Sequence, residues 1–118
     1  MTDDALIQLD NADIKQAKTE KKLLERDIEA AVCRYAERKY GMKAEKFTSP
    51  GRRSVPDRLF SVTGGRVFFI EFKAPKKKPT PKQIKDHERR REMGFKVFVC
   101  DDIEQGQMII DGMVEGAL

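Results

Sequence analysis

The hydrophobic positions of the chain fall into short segments with either helical or strand spacing. Over residues 19–40 the apolar side chains recur at steps of three and four, which predicts an amphipathic helix that ends at Gly41. Two runs of alternating character, residues 57–63 and 66–73, flank the pair Gly64-Gly65. These runs predict a β-hairpin closed by a two-residue turn.

A second helix is predicted to begin at Pro81. Thr80 is placed to cap this helix, Pro81 suits its first position, and Gln83 completes a capping box three residues after the cap. The apolar run at residues 96–101 predicts a central strand after the helix. Because the connection between this strand and the hairpin passes through a helix, the neighbouring strands should be parallel.

The predicted order of elements is α-β-β-α-β-α, an α/β fold with a small mixed sheet flanked by helices. Residues 103–114 supply the last short helix, and residues 43–55 are interpreted as a loop or a short strand. A chain of 118 residues is long enough for one core only. We therefore predict a single domain over residues 19–118, preceded by an arm or added helix at residues 1–18.

Three ionisable side chains fall where the hairpin pattern predicts burial. Glu71 and Lys73 share one face of the second strand, since side chains alternate, and Asp57 lies opposite them at the open end of the hairpin. An isolated Glu-x-Lys triplet is most often an ion pair at a sheet edge. Combined with Pro56-Asp57, however, the triplet has the spacing of a PD-(D/E)xK nuclease site. Converging carboxylates suit Mg²⁺ or Mn²⁺, and the lysine can orient the attacking water.

Composition excludes several other classes of protein. Charged residues make up 37% of the chain and mean hydropathy is −0.64, yet 39% apolar content is too high for simple disorder. No apolar run approaches the roughly 18 residues of a membrane span, and no signal-peptide pattern is present. Cys33 and Cys100 lack metal-ligand spacing and are interpreted as reduced, buried thiols of an intracellular protein. With His87 as its one histidine, the chain is a poor candidate for a zinc site or a Ser-His-Asp triad.

Positive charge is concentrated on both sides of the carboxylates. Residues 34–58 carry eight Lys/Arg against three Asp/Glu, and residues 73–96 carry ten against three. Such clustering is typical of proteins that bind a phosphate backbone, although most Lys/Arg runs are simply solvated surface. The residues predicted to contact nucleic acid are Arg52, Arg53, Lys76, Lys77, Lys78, His87 and Arg90.

Two acids on the first predicted helix leave an alternative open. Glu25 and Glu29 are one turn apart at the edge of the apolar stripe. Acids in such positions are usually solvated and contact basic residues one turn away, which is one interpretation of both residues. Alternatively, one of them tips onto the sheet as a third acid of the metal site.

From about residue 25 to 114 the chain resembles the VRR-NUC domain, the virus-type replication-repair nuclease branch of the PD-(D/E)xK superfamily, of which small stand-alone forms occur in phages and bacteria. Five motifs in the same order carry the resemblance: Glu25-x-x-Ile28, Val55-Pro56-Asp57, Phe69-Ile70-Glu71-Phe72-Lys73, Pro79-Thr80-Pro81-Lys82-Gln83 and Gly94-Phe95-Lys96-Val97-Phe98-Val99. One departure is Ser54-Val55, because the family usually has a glycine just before the Pro-Asp pair.

The resemblance implies a restriction-endonuclease-like fold and a metal site. Asp57 and Glu71 would bind the divalent metal directly, and the backbone carbonyl of Phe72 would be a further ligand. Glu25 would complete the ligand set, directly or through water.

Two further roles follow from the same resemblance. Lys73 would position the hydrolytic water, and Gln83 would support the site from the next helix. A capping role and a supporting role for Gln83 are compatible.

The function implied is a Mg²⁺- or Mn²⁺-dependent endonuclease acting on branched DNA, four-way (Holliday) junctions or flaps, in replication, recombination or repair. The enzyme would be a homodimer without an organic cofactor or membrane partner, located in the host cytoplasm if phage-encoded. One alternative is a non-catalytic nucleic-acid-binding module of the same fold. A basic scaffold protein is a weaker alternative, since it leaves Asp57, Glu71 and Lys73 unexplained.

Overall fold

The computed structural model describes residues 23–118. The arm predicted at residues 1–18 lies outside the described residues, as does the start predicted for the first helix near residue 19. The elements in chain order are α1 (Glu25–Tyr40), β1 (Lys43–Lys46), β2 (Arg58–Val62), β3 (Arg66–Phe72), α2 (Pro81–Glu92), β4 (Lys96–Cys100) and α3 (Ile103–Glu115).

The four strands form one mixed sheet in the order β1-β2-β3-β4. The pairs β1–β2 and β2–β3 are antiparallel, and β3 and β4 are parallel as predicted. The α/β fold class is therefore confirmed. The observed order, α-β-β-β-α-β-α, contains one more strand because β1 forms within the segment for which the sequence predicts a loop or a short strand.

One face of the sheet carries the apolar core. Phe68, Ile70 and Phe72 of β3 are fully buried, and Phe60 of β2 stacks on Phe68 with 4.9 Å between ring centroids. Helices α1 and α3 cover this face with apolar residues at helical spacing, among them Ile28, Val32, Ala36, Ile109, Ile110 and Met113. Burial of each large side chain contributes about 1.5–3 kcal/mol, so this face supplies most of the stabilising burial.

The opposite face of β3 is covered differently. Phe69 lies between the rings of Phe47 and Phe95, at centroid distances of 5.1 and 5.7 Å. Helix α2 is strongly charged, and His87 is its one buried residue. Glu71 also belongs to this side of β3 by strand alternation. A thin, partly polar layer therefore covers the side of the sheet from which the predicted acids project.

Local signals set most of the element boundaries. The Thr80 hydroxyl accepts from the Gln83 N–H at 3.2 Å, and the Gln83 side-chain oxygen accepts from the Thr80 N–H at 2.9 Å, so the predicted capping box is present. The described part of α1 begins at Glu25, later than predicted, because Leu24 is extended there and its N–H donates to Asp27.

The hairpin connection is one residue longer than the two-residue turn predicted. Val62 pairs with Arg66, which leaves Thr63, Gly64 and Gly65 in the turn. Both glycines have positive φ, 97° and 81°, a conformation that side chains disfavour. The glycine pair therefore predicts the turn correctly but not its length.

One edge of the described sheet is occupied by a side chain. The Arg91 guanidinium donates to the carbonyl oxygen of Val97 in β4, at 3.1 and 2.7 Å from Nε and a terminal nitrogen. The Cys100 carbonyl faces β3, since it accepts from the Lys73 N–H. Carbonyls alternate in direction along a strand, so the Val97 carbonyl, three residues earlier, faces away from β3.

Cys33 and Cys100 are free and buried, as predicted. None of the helices within residues 23–118 has the length and apolarity to cross a membrane.

Helix α3 packs closely through Gly106, which gives a test of the core. A Cβ added there would lie 2.3 Å from a Val32 methyl and 3.1 Å from the Cys100 sulfur. We expect Gly106→Ala to lower the free energy of unfolding by about 1–3 kcal/mol through overpacking. Gly112→Ala is the matched control on the same helix, since the atoms nearest its Cβ, from 2.7 Å, belong to the Leu118 side chain, whose flexible end can move away. Urea titration measures both, and equal stability of the two variants would contradict the close packing.

Candidate active site

Asp57 reaches the end of β3 because of the hairpin register. Arg58 pairs with Ile70, so Asp57 lies beside Glu71 just beyond the last paired residues. The Phe72 N–H donates to Asp57 Oδ2 at 2.7 Å, and the Asp57 carbonyl accepts from the Phe47 N–H at 2.9 Å. These bonds fix the Asp57 carboxylate against the end of β3.

A third carboxylate comes from the first turn of α1. The cluster takes one carboxylate oxygen from each of Glu25, Asp57 and Glu71, and these three oxygens lie within 4.8 Å of one another. Glu29 points elsewhere, because Arg58 Nε donates to its carboxylate at 2.7 Å. Of the two acids that the sequence offers as alternatives, the structure therefore brings Glu25 to the cluster.

The grouped carboxylates repel one another. Burial, followed by the charge of Glu71, raises the pKa of Asp57 to about 7, although the Phe72 N–H acts in the opposite direction. Burial also raises the pKa of Glu25; Lys73 opposes this shift, and Glu71 adds to it. A divalent cation would remove this repulsion, and three convergent carboxylate oxygens are ligands that suit Mg²⁺ or Mn²⁺. The residues present therefore fit such an ion.

Lys73 lies at the edge of this cluster. Its Nζ is 3.6 Å from Glu71 Oε2, and its side chain is largely buried. Its backbone N–H donates to the Cys100 carbonyl at 2.9 Å, which extends the β3–β4 pairing by one residue. Phe72, whose carbonyl is a predicted ligand, lies between Glu71 and Lys73 on the strand.

Helix α2 presents His87 to the acids. Gln83 is engaged in the capping box with Thr80, and its supporting role at the site stays a prediction. His87, one turn later, is 1% exposed, and its Nε2 is 3.7 Å from Glu71 Oε1. The expectation that His87 contacts a phosphate is therefore corrected, because the residue faces the sheet and not the solvent.

The predicted basic residues separate into exposed and engaged groups. Arg52 and Arg53 are exposed, as are the three lysines at residues 76–78. Arg90 is not free: its Nε donates to Asp86 at 2.8 Å, and its guanidinium lies over the rings of Phe47 and Phe69. These contacts hold α2 against the sheet, and the role of Arg90 as a nucleic-acid contact stays a prediction.

An open groove of about 820 Å³ lies between the loop before Asp57 and helix α2. Its lining residues are Ser49, Gly51, Arg52, Arg53, Ser54, Lys82, Lys85, Asp86 and Arg89. Its one acid, Asp86, is already paired with Arg90. Sequence reasoning missed the lysines and Arg89 here, although their spacing of three and seven residues on a predicted helix places them on one face.

The chain is similar to a phage protein and to a solved structure. The "Putative nuclease p44" of Acyrthosiphon pisum secondary endosymbiont phage 1 is 52% identical over 64 residues, which are 54% of this chain and 69% of the phage protein. A solved structure titled "VRR_NUC domain" is 33% identical, with a TM-score of 0.62 over 71% of this chain and 95% of that chain. No family model matches the chain.

The raised pKa of Asp57 gives a pH-dependent stability in the absence of metal. Between its ordinary pKa of 3.8 and about 7, folded Asp57 binds a proton that the unfolded chain has released. The free energy of unfolding should therefore fall as pH rises through this range. Because Asp57 is only partly buried, solvent screening limits the decrease to on the order of 1–2 kcal/mol. Denaturation in EDTA at pH 5 and pH 8 measures it. Asp57→Asn should remove most of the decrease, and an equal decrease in that variant would contradict the assignment.

Proposed function

Because the chain belongs to the VRR-NUC family, as its motifs predict, we propose that it is a divalent-metal-dependent endonuclease that hydrolyses phosphodiester bonds of structured DNA. The observation that carries this proposal is the convergence of Glu25, Asp57 and Glu71 at the end of β3, with Lys73 beside them. The nuclease relative supports the same class of activity.

Glu25, Asp57 and Glu71 would hold the Mg²⁺ or Mn²⁺ ion, with the Phe72 carbonyl as a further ligand. When bound, such an ion stabilises negative charge on the phosphate and lowers the pKa of water. The Phe72 N–H keeps the Asp57 carboxylate directed at the cluster through its 2.7 Å hydrogen bond. Burial of Glu71 keeps bulk water away from one side of the cluster.

Lys73 would act on the water and the phosphate. Its ammonium is directed by Glu71 Oε2 at 3.6 Å and so lies beside the acids. A donor at this place can orient the attacking water and stabilise the negative charge that develops on the phosphate. Removing the ammonium should therefore reduce the rate of cleavage more than the affinity for DNA.

The basic groove would hold the DNA backbone. Its two walls are close to the candidate site along the chain, since the loop at residues 49–54 leads into Asp57, and α2 also carries His87 beneath Glu71. Arginine, lysine and serine side chains are typical phosphate contacts, and such contacts position DNA without reading its sequence. Recognition by shape follows, so we propose four-way junctions or flaps as substrates and, from the family resemblance, a homodimer as the active form. Exposed Lys76, Lys77 and Lys78 would supply further phosphate contacts.

The proposal predicts metal-dependent cleavage that requires both the acids and the lysine. Labelled four-way junction, flap, duplex and single-stranded DNA are incubated with Mg²⁺, Mn²⁺ or EDTA. Asp57→Asn and Lys73→Met should each lower the cleavage rate by about 100-fold or more, because each removes several kcal/mol of transition-state stabilisation. DNA affinity should be retained in both.

Glu45→Gln is the matched control for this experiment, since Glu45 is an exposed acid on β1 and its replacement should leave cleavage unchanged. Tight, salt-dependent DNA binding without cleavage in either metal would overturn the nuclease proposal in favour of a non-catalytic binding module. Size-exclusion chromatography with light scattering tests the dimer separately.

The groove predicts a change in the salt dependence of DNA binding. Lys82→Ala/Lys85→Ala should lower the slope of log affinity against log salt concentration by about 0.7–0.9 for each phosphate that is no longer neutralised. KM should rise while kcat stays nearly constant, because these lysines bind DNA away from the reacting atoms. Arg34→Ala/Arg38→Ala, which removes two exposed cations from α1, is the control. Equal slopes in the two double variants would exclude the groove as the DNA path.

A further inference from the structure

Two buried polar atoms face each other beneath the candidate metal site. His87 Nε2 and Glu71 Oε1 are separated by 3.7 Å, and both residues are 1% exposed. Neither atom has a hydrogen-bond partner within the described part of the chain. These are the two side-chain atoms of the described residues that are both fully buried and unpaired.

Such a pair requires a physical reason. A buried polar group without a partner costs about 1–3 kcal/mol, and a charged one costs more. Here one atom is a carboxylate acceptor and the other is a nitrogen that can carry a proton, so each is the natural partner of the other. A shift of about 0.5–0.8 Å would give a hydrogen bond of ordinary length.

The contacts around Glu71 favour His87 as the α2 residue that hydrogen-bonds to its carboxylate. The other oxygen of Glu71, Oε2, faces Lys73 Nζ at 3.6 Å. Gln83, the α2 residue expected to support the site, has its side-chain oxygen bonded to the Thr80 N–H at 2.9 Å. The two oxygens of Glu71 thus face two different donors, one from β3 and one from α2, and each oxygen retains a lone pair for a metal ion.

We propose that His87 is a positioning residue: its Nε2–H donates to Glu71 Oε1 and fixes the orientation in which that carboxylate binds the divalent ion. This inference rests on the metal site of the proposed function and adds the α2 residue that orients it. Groups that hydrogen-bond to metal ligands typically change metal affinity or activity by about 10- to 100-fold when they are removed. A histidine that only fills space under the sheet would have no such effect.

The experiment separates the hydrogen bond from the volume of the side chain. His87→Leu retains apolar volume without a donor, whereas His87→Gln retains an N–H donor. Calorimetric titration with Mn²⁺ in the absence of DNA should show affinity about 10-fold or more weaker for His87→Leu, and affinity close to the unmodified protein for His87→Gln. Cleavage assays on the same proteins should give the same order in kcat, with KM for DNA unchanged.

Glu88→Gln is the control on the same helix. Glu88 is exposed and next to His87 in the sequence, so Mn²⁺ affinity should stay unchanged in this variant. Should His87→Leu fail to fold, His87→Asn replaces it, because its amide is too short to reach Glu71 and weak Mn²⁺ binding is again expected.

Three outcomes would overturn the proposal: unchanged Mn²⁺ affinity in His87→Leu, equal weakening in His87→Leu and His87→Gln, or no Mn²⁺ binding by the unmodified protein. A protein that binds Mn²⁺ with the expected order among variants, yet cuts no DNA, would contradict the nuclease and leave the role of His87 supported. Failure of the two proposals is therefore distinguishable.

Discussion

The candidate site depends on one hydrogen bond, from the Phe72 N–H to Asp57 Oδ2 at 2.7 Å. It lies beyond the last backbone pair of the hairpin, Arg58 with Ile70, so a side chain continues the ladder where backbone pairing stops. The bond acts against burial and the charge of Glu71, which both raise the pKa of Asp57, and it holds the Asp57 carboxylate against the end of β3 beside Glu71.

Features encoded by neighbouring residues were predictable from the sequence. The capping box of Thr80 and Gln83 needs only a three-residue spacing, and the faces of β3 follow from alternation. Alternation, together with the predicted hairpin, was enough to place Glu71 beside Lys73 and opposite Asp57. The five family motifs also predicted the similarity to VRR-NUC proteins, which the phage relative and the solved structure support.

Features decided by packing between distant elements were not predictable. His87 lies on a helix so charged that a surface position was the natural expectation, yet α2 turns it onto Glu71. The choice between Glu25 and Glu29 depends on Arg58, a residue of β2 that pairs with Glu29. The ring contacts of Arg90 were not predictable either, because Phe47 and Phe69 are far from it along the chain. In each case a contact across the fold determined the outcome.

The edge of the sheet at β4 has a consequence for solubility. An uncovered edge strand offers carbonyl and amide groups that can pair with a strand of another chain, which is a common route to aggregation. Arg91 places a charged guanidinium on the Val97 carbonyl at that edge, where an incoming strand would need to bond. An arginine of the basic helix thus makes β4 a poor template for intermolecular sheet growth, which helps a small α/β protein remain dispersed.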